Sequence, residues 1–270
     1  MLVFHGQRLQ VVSAWRERLG ALGIAADSGW MALSRGELVS RSPSTRCYRI
    51  PLGDGENVYF KRYVYAPRKL LEFWLRPSKA VVEAFGFARL RALGIPSLEV
   101  LALGEVRRFG MLRAACVVTR GVPHSRTLEQ FAREQWYPLP EPERSRVYRE
   151  IAARLLEQVR RAHRAGFFHH DLKWRNILIQ RGDCGYTPVW IDCPRAFQRR
   201  RRLRRGAVVD LSGLARLALS YLTLYERYRF LRGYLGPGAA PGQVKRLFRQ
   251  VQAHLERRPP KPLQLPPGGR

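Results

Sequence analysis

Between Phe167 and Ile179 the 270-residue chain concentrates its polar chemistry, with Asp171 five residues before Asn176 and Lys173 between them. Phosphoryl transfer needs these residue types in this order. An aspartate takes the proton of the attacking hydroxyl, an asparagine holds a magnesium ion, and a lysine neutralises the phosphoryl group in transit. A β-prone run, Val189-Trp190-Ile191, then ends in Asp192, at the distance expected of a second magnesium ligand. Upstream, Val58-Tyr59-Phe60 leads into Lys61, a strand lysine placed to reach nucleotide phosphates. Glu83 falls in the first turns of the next predicted helix, on one face with Phe87 and Leu90. A carboxylate on a buried stripe is costly unless it is paired, which makes Lys61 its natural partner.

These residues must be carried by two kinds of structure. Glu37 to Ser40, Arg46 to Leu52 and Asn57 to Tyr65 read as strands, the last two joined by the turn Gly53-Asp54-Gly55. Pro77-Ser78 opens a helix that stops at Gly94-Ile95-Pro96, with Ser78 as its N-cap. Two further strands are predicted at Ser97 to Leu103 and Met111 to Thr119. After Gly121-Val122-Pro123 the period changes, and Val147, Ile151, Leu155 and Val159 recur along one helical face that ends at Gly166. Val208 to Tyr225 reads as a second apolar helix and Gln243 to Leu255 as a third. Strands first and helices afterwards predict an α+β chain: a small antiparallel-sheet lobe with one helix, and a larger helical lobe. The expected boundary puts residues 1–120 in the nucleotide-binding sheet lobe and residues 121–270 in the lobe of the catalytic loop, with a Pro-rich tail from about residue 256.

The set resembles the lipopolysaccharide core kinases, a family with a protein-kinase-like fold that phosphorylates Kdo or heptose of the inner core. The likeness extends to Ile191-Asp192 followed by Arg195-Ala196, to Val209-Asp210-Leu211 opening a helix, and to Tyr228-Arg229-Phe230-Leu231-Arg232, and it covers roughly Ser40 to Tyr234. The resemblance implies an ATP- and Mg2+-dependent phosphotransferase acting on a sugar hydroxyl, at the cytoplasmic face of the inner membrane. Asp171 and Lys173 would carry the chemistry, Asn176 and Asp192 the metal, and Lys61, fixed by Glu83, the α/β-phosphates. The rival readings are a protein kinase, an aminoglycoside-type kinase and a catalytically inactive pseudokinase scaffold. The complete set of metal and phosphate residues argues against the last.

Three features depart from the common kinase pattern. In place of a glycine-rich phosphate loop stands Arg41-Ser42-Pro43-Ser44-Thr45-Arg46, in which the hydroxyls of Ser44 and Thr45 and the main-chain amides would cover phosphates. His170 precedes the catalytic aspartate where many protein kinases carry a phosphate-reading arginine, and Cys193-Pro194 follows Asp192 in place of Phe-Gly. Activation by phosphorylation of the following segment is therefore not expected. His169 reads as a structural loop histidine, and Asp210 as a brace for the catalytic loop through main-chain hydrogen bonds.

Composition sets the remaining bounds. With 46% hydrophobic and 11% aromatic residues the chain has ample material for a core, which excludes a disordered or fibrous protein. A formal charge of +28 favours an anionic partner. Only six of the 49 basic residues are lysine, so the excess is arginine, either through codon bias or for its planar fork that matches phosphate. Arg199, Arg200, Arg201 and Arg202 head a run that is either a solvated face or a binding site for the acceptor or an anionic membrane surface. No interleaved aromatic and basic motif or zinc-finger spacing points to specific nucleic-acid binding, although this charge entails nonspecific, salt-sensitive binding. The four cysteines form no CxxC pair and read as reduced cytoplasmic thiols. The amino terminus lacks a signal-peptide pattern, and no apolar run is long enough to span a membrane.

Overall fold

The structure, a computed structural model, describes residues 3–25, 29–66, 72–183, 185–193, 196–198 and 203–257. Arg199 to Arg202, Pro194, Arg195 and the Pro-rich tail from residue 258 lie outside the described residues. The chain divides into two compact units, Met1–His124 with Ile191–Ala196, and Ser125–Trp190 with Phe197–Arg270.

The first unit is built on one antiparallel sheet. Its strands are β1 (Gly6–Val11), β2 (Glu37–Ser42), β3 (Thr45–Pro51), β4 (Asn57–Val64), β5 (Val100–Arg108) and β6 (Met111–Arg120), in the spatial order β1-β5-β6-β4-β3-β2. A short helix α1 (Arg16–Gly20) follows β1, and α2 (Lys79–Ala92) connects β4 to β5. Alternation along β4 divides the core. Val58 and Phe60 join Trp15, Leu19, Trp30 and Ile50 on one face. Tyr63 lies on the other with Tyr65, Ala80, Ala115 and Val117. Each fully buried large side chain, Phe60 among them, contributes about 1.5–3 kcal/mol of transfer free energy.

The predicted start and stop of α2 are those of the structure. The Ser78 hydroxyl accepts from the Val81 amide at 3.2 Å, and Gly94 closes the helix with φ +66°. Its buried face carries Glu83, Phe87 and Leu90. A buried ion pair fixes its entry. Arg107 donates from Nε and Nη2 to Glu105 at 3.1 Å, and also to the carbonyls of Arg76 and Gly110. Glu105 in turn accepts from the Ser78 amide at 3.2 Å, next to the helix cap.

This pair also accounts for a correction. The strand expected at Ser97 to Leu103 runs instead from Val100 to Arg108. Its second half hides a carboxylate and a guanidinium, so it does not read as an alternating apolar run. Strand β1, which sequence patterning did not mark, pairs with β5 through Gly6–Arg107 to Val11–Ala102.

The second unit carries the longest helix. After β7 (Ser125–Thr127), helix α3 (Leu128–Phe131) starts from a capping box made by Thr127 and Gln130. Helix α4 (Glu143–Arg164) buries Val147, Ile151, Leu155 and Val159, the predicted stripe, and Gly166 ends it at φ +72°. Then come β8 (Phe167–Phe168), β9 (Ile177–Gly182), β10 (Gly185–Trp190) and β11 (Phe197–Gln198). Strands β10-β9-β7 form one small sheet, and β11 pairs with β8. The apolar helix expected at Val208 to Tyr225 is two helices, α5 (Leu203–Tyr221) and α6 (Leu224–Leu235). Thr223 breaks it: its hydroxyl accepts from the Glu226 amide, and Glu226 returns the bond in a second capping box. Helix α7 (Pro241–Glu256) closes the unit, with Pro241 in its first turn, where no amide is needed.

Candidate active site

In the first unit, Lys61 is the meeting point. Its ammonium donates to both Glu83 carboxylate oxygens at 3.1 Å and to Asp192 Oδ1. The Tyr63 hydroxyl, two residues along the same strand face, donates to Glu83 Oε2. Burial alone would pull the Lys61 pKa down, but the Glu83 and Asp192 carboxylates outweigh it and hold the ammonium above its ordinary range. Lys61 is therefore a fixed positive charge. Cys47 faces Lys61 across the β3–β4 register, and burial pushes its thiol up to about 11, which leaves it a neutral side chain at physiological pH.

The segment carrying Asp192 reaches this place because α2 has a gap. A Cβ on Gly86 would stand 2.8 Å from the Cys193 Cβ and 3.4 Å from that of Ala196, so only glycine allows the approach. Asp192 itself has φ +59°, a left-handed conformation that non-glycine residues adopt at a cost. Neither feature shows as a sequence pattern, because the contact joins residues far apart in the chain.

In the second unit, Asp171, Lys173 and Asn176 share one tight loop. The Lys173 amide donates to the Asp171 carbonyl and the Asn176 amide to the Lys173 carbonyl, each at 2.8 Å. Asn176 Nδ2 donates to the Asp171 carbonyl at 2.8 Å and to Asp171 Oδ2 at 3.1 Å. Lys173 forms an ion pair with Asp171 Oδ1, and Arg175 lies 3.9 Å from Oδ2. Asp171 is thus held by cations while its side chain stays 23% exposed, within reach of a hydroxyl.

Asp210 braces that loop from α5, as its sequence context predicts. It is fully buried and accepts from the main-chain amides of His169 at 2.8 Å and His170 at 2.7 Å. Those bonds hold His170 at φ +62°, just before Asp171. His163 Nε2 also meets Asp210 at 3.2 Å, and its Nδ1 meets the Tyr234 hydroxyl at 3.0 Å. His169 is buried, with Nδ1 accepting from the Asp171 amide at 3.3 Å, so it is a loop-shaping residue. Gly213 on α5 lets the Leu172 main chain lie where a Cβ would come within 2.5 Å of its carbonyl oxygen. Trp174 pins the far side by donating to the Leu214 carbonyl at 2.9 Å. Sequence reading missed His163, Tyr234, Tyr63 and the two glycines; the Lys61–Tyr63 spacing along one strand face is the signal that marks Tyr63.

The oxygen donors of Asp192 and Asn176 suit a hard cation such as Mg2+. Asn176 spends its amide NH2 on Asp171, which leaves its Oδ1 as the donor for a metal. Ser44 and Thr45 sit at the tip of the β2–β3 hairpin and line a cavity with Arg41, Arg46 and Arg62.

A sequence profile of the lipopolysaccharide kinase (Kdo/WaaP) family matches residues 54–234. The chain belongs to that family. The matched span holds Lys61, Glu83, Asp171, Lys173, Asn176 and Asp192, and leaves Ser44 and Thr45 outside it. Among curated relatives, the lipopolysaccharide core heptose(I) kinase WaaP of Escherichia coli strain K12 is 28% identical over 153 residues, covering 55% of this chain and 57% of that protein. Another Escherichia coli WaaP of the same description is 29% identical over 172 residues, 62% of each chain. The matches thus span about six-tenths of these relatives' length. A solved structure of WaaP in complex with acyl carrier protein superposes with a TM-score of 0.68 at 22% identity, covering 93% of this chain and 97% of that one. The family member described here therefore has the protein-kinase-like fold.

Proposed function

We propose that the protein is an ATP-dependent kinase that phosphorylates a Kdo or heptose hydroxyl of the lipopolysaccharide inner core at the cytoplasmic face of the inner membrane. The observation that carries this reading is the Asp171–Lys173–Asn176 loop in a chain that also fixes Lys61 between Glu83 and Asp192. The acceptor follows the family and its curated relatives.

Each residue then has a definite task. Asp171 accepts the proton of the sugar hydroxyl as its oxygen bonds to the γ-phosphorus. The bond from that phosphorus to the bridging oxygen breaks, and the electron pair leaves with ADP. Lys173 sits against Asp171, where its charge offsets that of the phosphoryl group in transit. All three Lys61 donors are taken by carboxylate oxygens, so binding the α/β-phosphates exchanges the Asp192 contact for a phosphate one. Mg2+ held by Asn176 and Asp192 would neutralise phosphate charge when bound. The assay that tests this reading is transfer of labelled γ-phosphate from ATP to purified core oligosaccharide, with a protein substrate and an aminoglycoside as rival acceptors. Label confined to either rival would contradict it.

A separate observation supports a partner. The helical unit carries an apolar pocket of about 620 Å3, open to solvent on one side and lined among others by Phe131, Trp136, Trp174, Leu214 and Phe248. A single aliphatic chain fits such a space. Together with the solved complex of WaaP, this supports acyl carrier protein as a partner whose acyl chain fills the cavity. Intact-mass analysis of the protein purified from its host should find acyl carrier protein in its acylated form, and Ala218→Trp, which fills the cavity, should abolish copurification. Equal copurification of the variant would contradict the reading.

A further inference from the structure

Four large apolar side chains stand in water around the β5–β6 turn. Phe4, Trp74, Leu75 and Phe109, from three stretches of the chain, are each between 47% and 57% exposed. They meet around Gly110, whose amide donates to the Phe4 carbonyl at 2.8 Å and whose carbonyl accepts from the Leu75 amide at 3.3 Å. Trp74 Nε1 donates to the Phe109 carbonyl at 3.2 Å, so the single polar group of the indole is satisfied within the patch. The His5 ring lies 4.5 Å from that of Phe109. Single apolar residues scattered over a surface are ordinary, but several gathered at one turn mark a contact surface.

The backbone holds two of the four in a disfavoured conformation. Leu75 has φ +53° and Phe109 φ +50°, left-handed values that glycine or asparagine would adopt more readily than a bulky side chain. Arg107 enforces them. Its buried guanidinium donates to the carbonyls of Phe73, Arg76 and Gly110, tying both segments to the sheet. Folding alone gives no reason for leucine and phenylalanine at these positions, since both side chains point away from the core and the backbone strain remains. A partner that takes them out of water supplies the reason.

Charge selects the partner. Arg76 follows Leu75 and Arg108 precedes Phe109; both are exposed, and among the described residues neither forms an ion pair. The exposed acid of these segments is Glu72. Tryptophan and phenylalanine rings beside arginines suit the interface of a bilayer, where the rings enter the headgroup layer and the guanidinium groups meet lipid phosphates. The net charge of +28 acts in the same direction. We propose that the patch of Phe4, Trp74, Leu75 and Phe109 docks the chain on an anionic phospholipid bilayer by entering its interface. The choice of a bilayer rests on the proposed location at a membrane face. The patch lies within the first unit and includes none of the residues assigned to nucleotide, metal or base.

The test is co-sedimentation of the full chain with vesicles of equal parts phosphatidylethanolamine and phosphatidylglycerol, at physiological ionic strength and without ATP or acceptor. L75N/F109N puts a residue that suits φ above zero at both left-handed positions, so it should stay folded with a thermal midpoint no lower than that of the native chain. Its vesicle affinity should fall at least about tenfold, because two large apolar side chains no longer leave water. R76Q/R108Q should weaken binding by a similar factor. The control V12Q/F85Q removes exposed apolar side chains from the far end of β1 and from α2, and should change affinity by less than about twofold. Trp74 gives a direct reading, because the other five tryptophans are buried. Brominated lipid in the vesicles should quench the fluorescence of the native chain and leave that of W74F unchanged. Phosphoryl transfer to soluble core oligosaccharide needs no bilayer and should stay within about twofold in L75N/F109N. Absence of transfer in the native chain would therefore count against the proposed function and not against the docking surface. The proposal is overturned if the native chain does not bind the vesicles, if L75N/F109N binds them normally, if V12Q/F85Q loses as much, or if W74F is quenched like the native chain. A native dimer that L75N/F109N dissolves would also overturn it, making the patch a face between two copies.

Discussion

Asp171→Asn should lower kcat for phosphoryl transfer by about 10²- to 10⁴-fold, the usual contribution of a positioned general base. The variant should remain folded. Asparagine keeps an oxygen where Asn176 Nδ2 donates, and the Asp171 side chain is partly exposed, so the stability change should stay within about 0.5 kcal/mol. The ATP KM should move little, because Lys61, the residue proposed to meet the phosphates, belongs to the other unit and is fixed there by Glu83. Steady-state kinetics with thermal unfolding of the same preparation reads all three quantities. Turnover within a few-fold of the native rate would remove Asp171 from the role of base.

Asp210→Ala should do the reverse, costing stability as well as rate. It removes the acceptor of two main-chain amides and of His163 in a site with no exposed surface, at a cost on the order of 3–5 kcal/mol. With the amides of His169 and His170 released, His170 loses what holds its left-handed conformation, and Asp171 moves with it. A displacement of about 1 Å in a catalytic group can cost about 100-fold in rate. The expected pattern is a fall in kcat with the ATP KM preserved, a lowered denaturant midpoint, and partial recovery in Asp210→Asn, which keeps one acceptor. Unchanged stability, or an ATP KM that rises as kcat falls, would show that Asp210 acts elsewhere.

Much of this arrangement was legible in the chain because local chemistry enforced it. Glu83 on a buried helical stripe demanded a cation, Lys61 was the cation available, and the structure joins them. Ser78 and Gly94 bounded α2 by capping geometry that depends on a few neighbouring residues. The loop from Asp171 to Asn176 is likewise a local turn. What escaped was non-local or disguised. The contact of Lys61 with Asp192 spans 131 positions and depends on a missing Cβ at Gly86, which no periodicity announces. The far half of β5 was hidden because Glu105 and Arg107 bury charge where a strand pattern expects apolar side chains. The break between α5 and α6 rests on one capping threonine inside an otherwise continuous helical period.

In the proposed function, this chain phosphorylates the lipopolysaccharide inner core through Asp171. Mass spectrometry of core oligosaccharide from cells lacking the protein, complemented with either the native chain or Asp171→Asn, tests it most directly. Cells lacking the protein should lose one phosphate from a Kdo or heptose residue, restored by the native chain and not by the variant. A core whose phosphate content is the same in all three strains would contradict it.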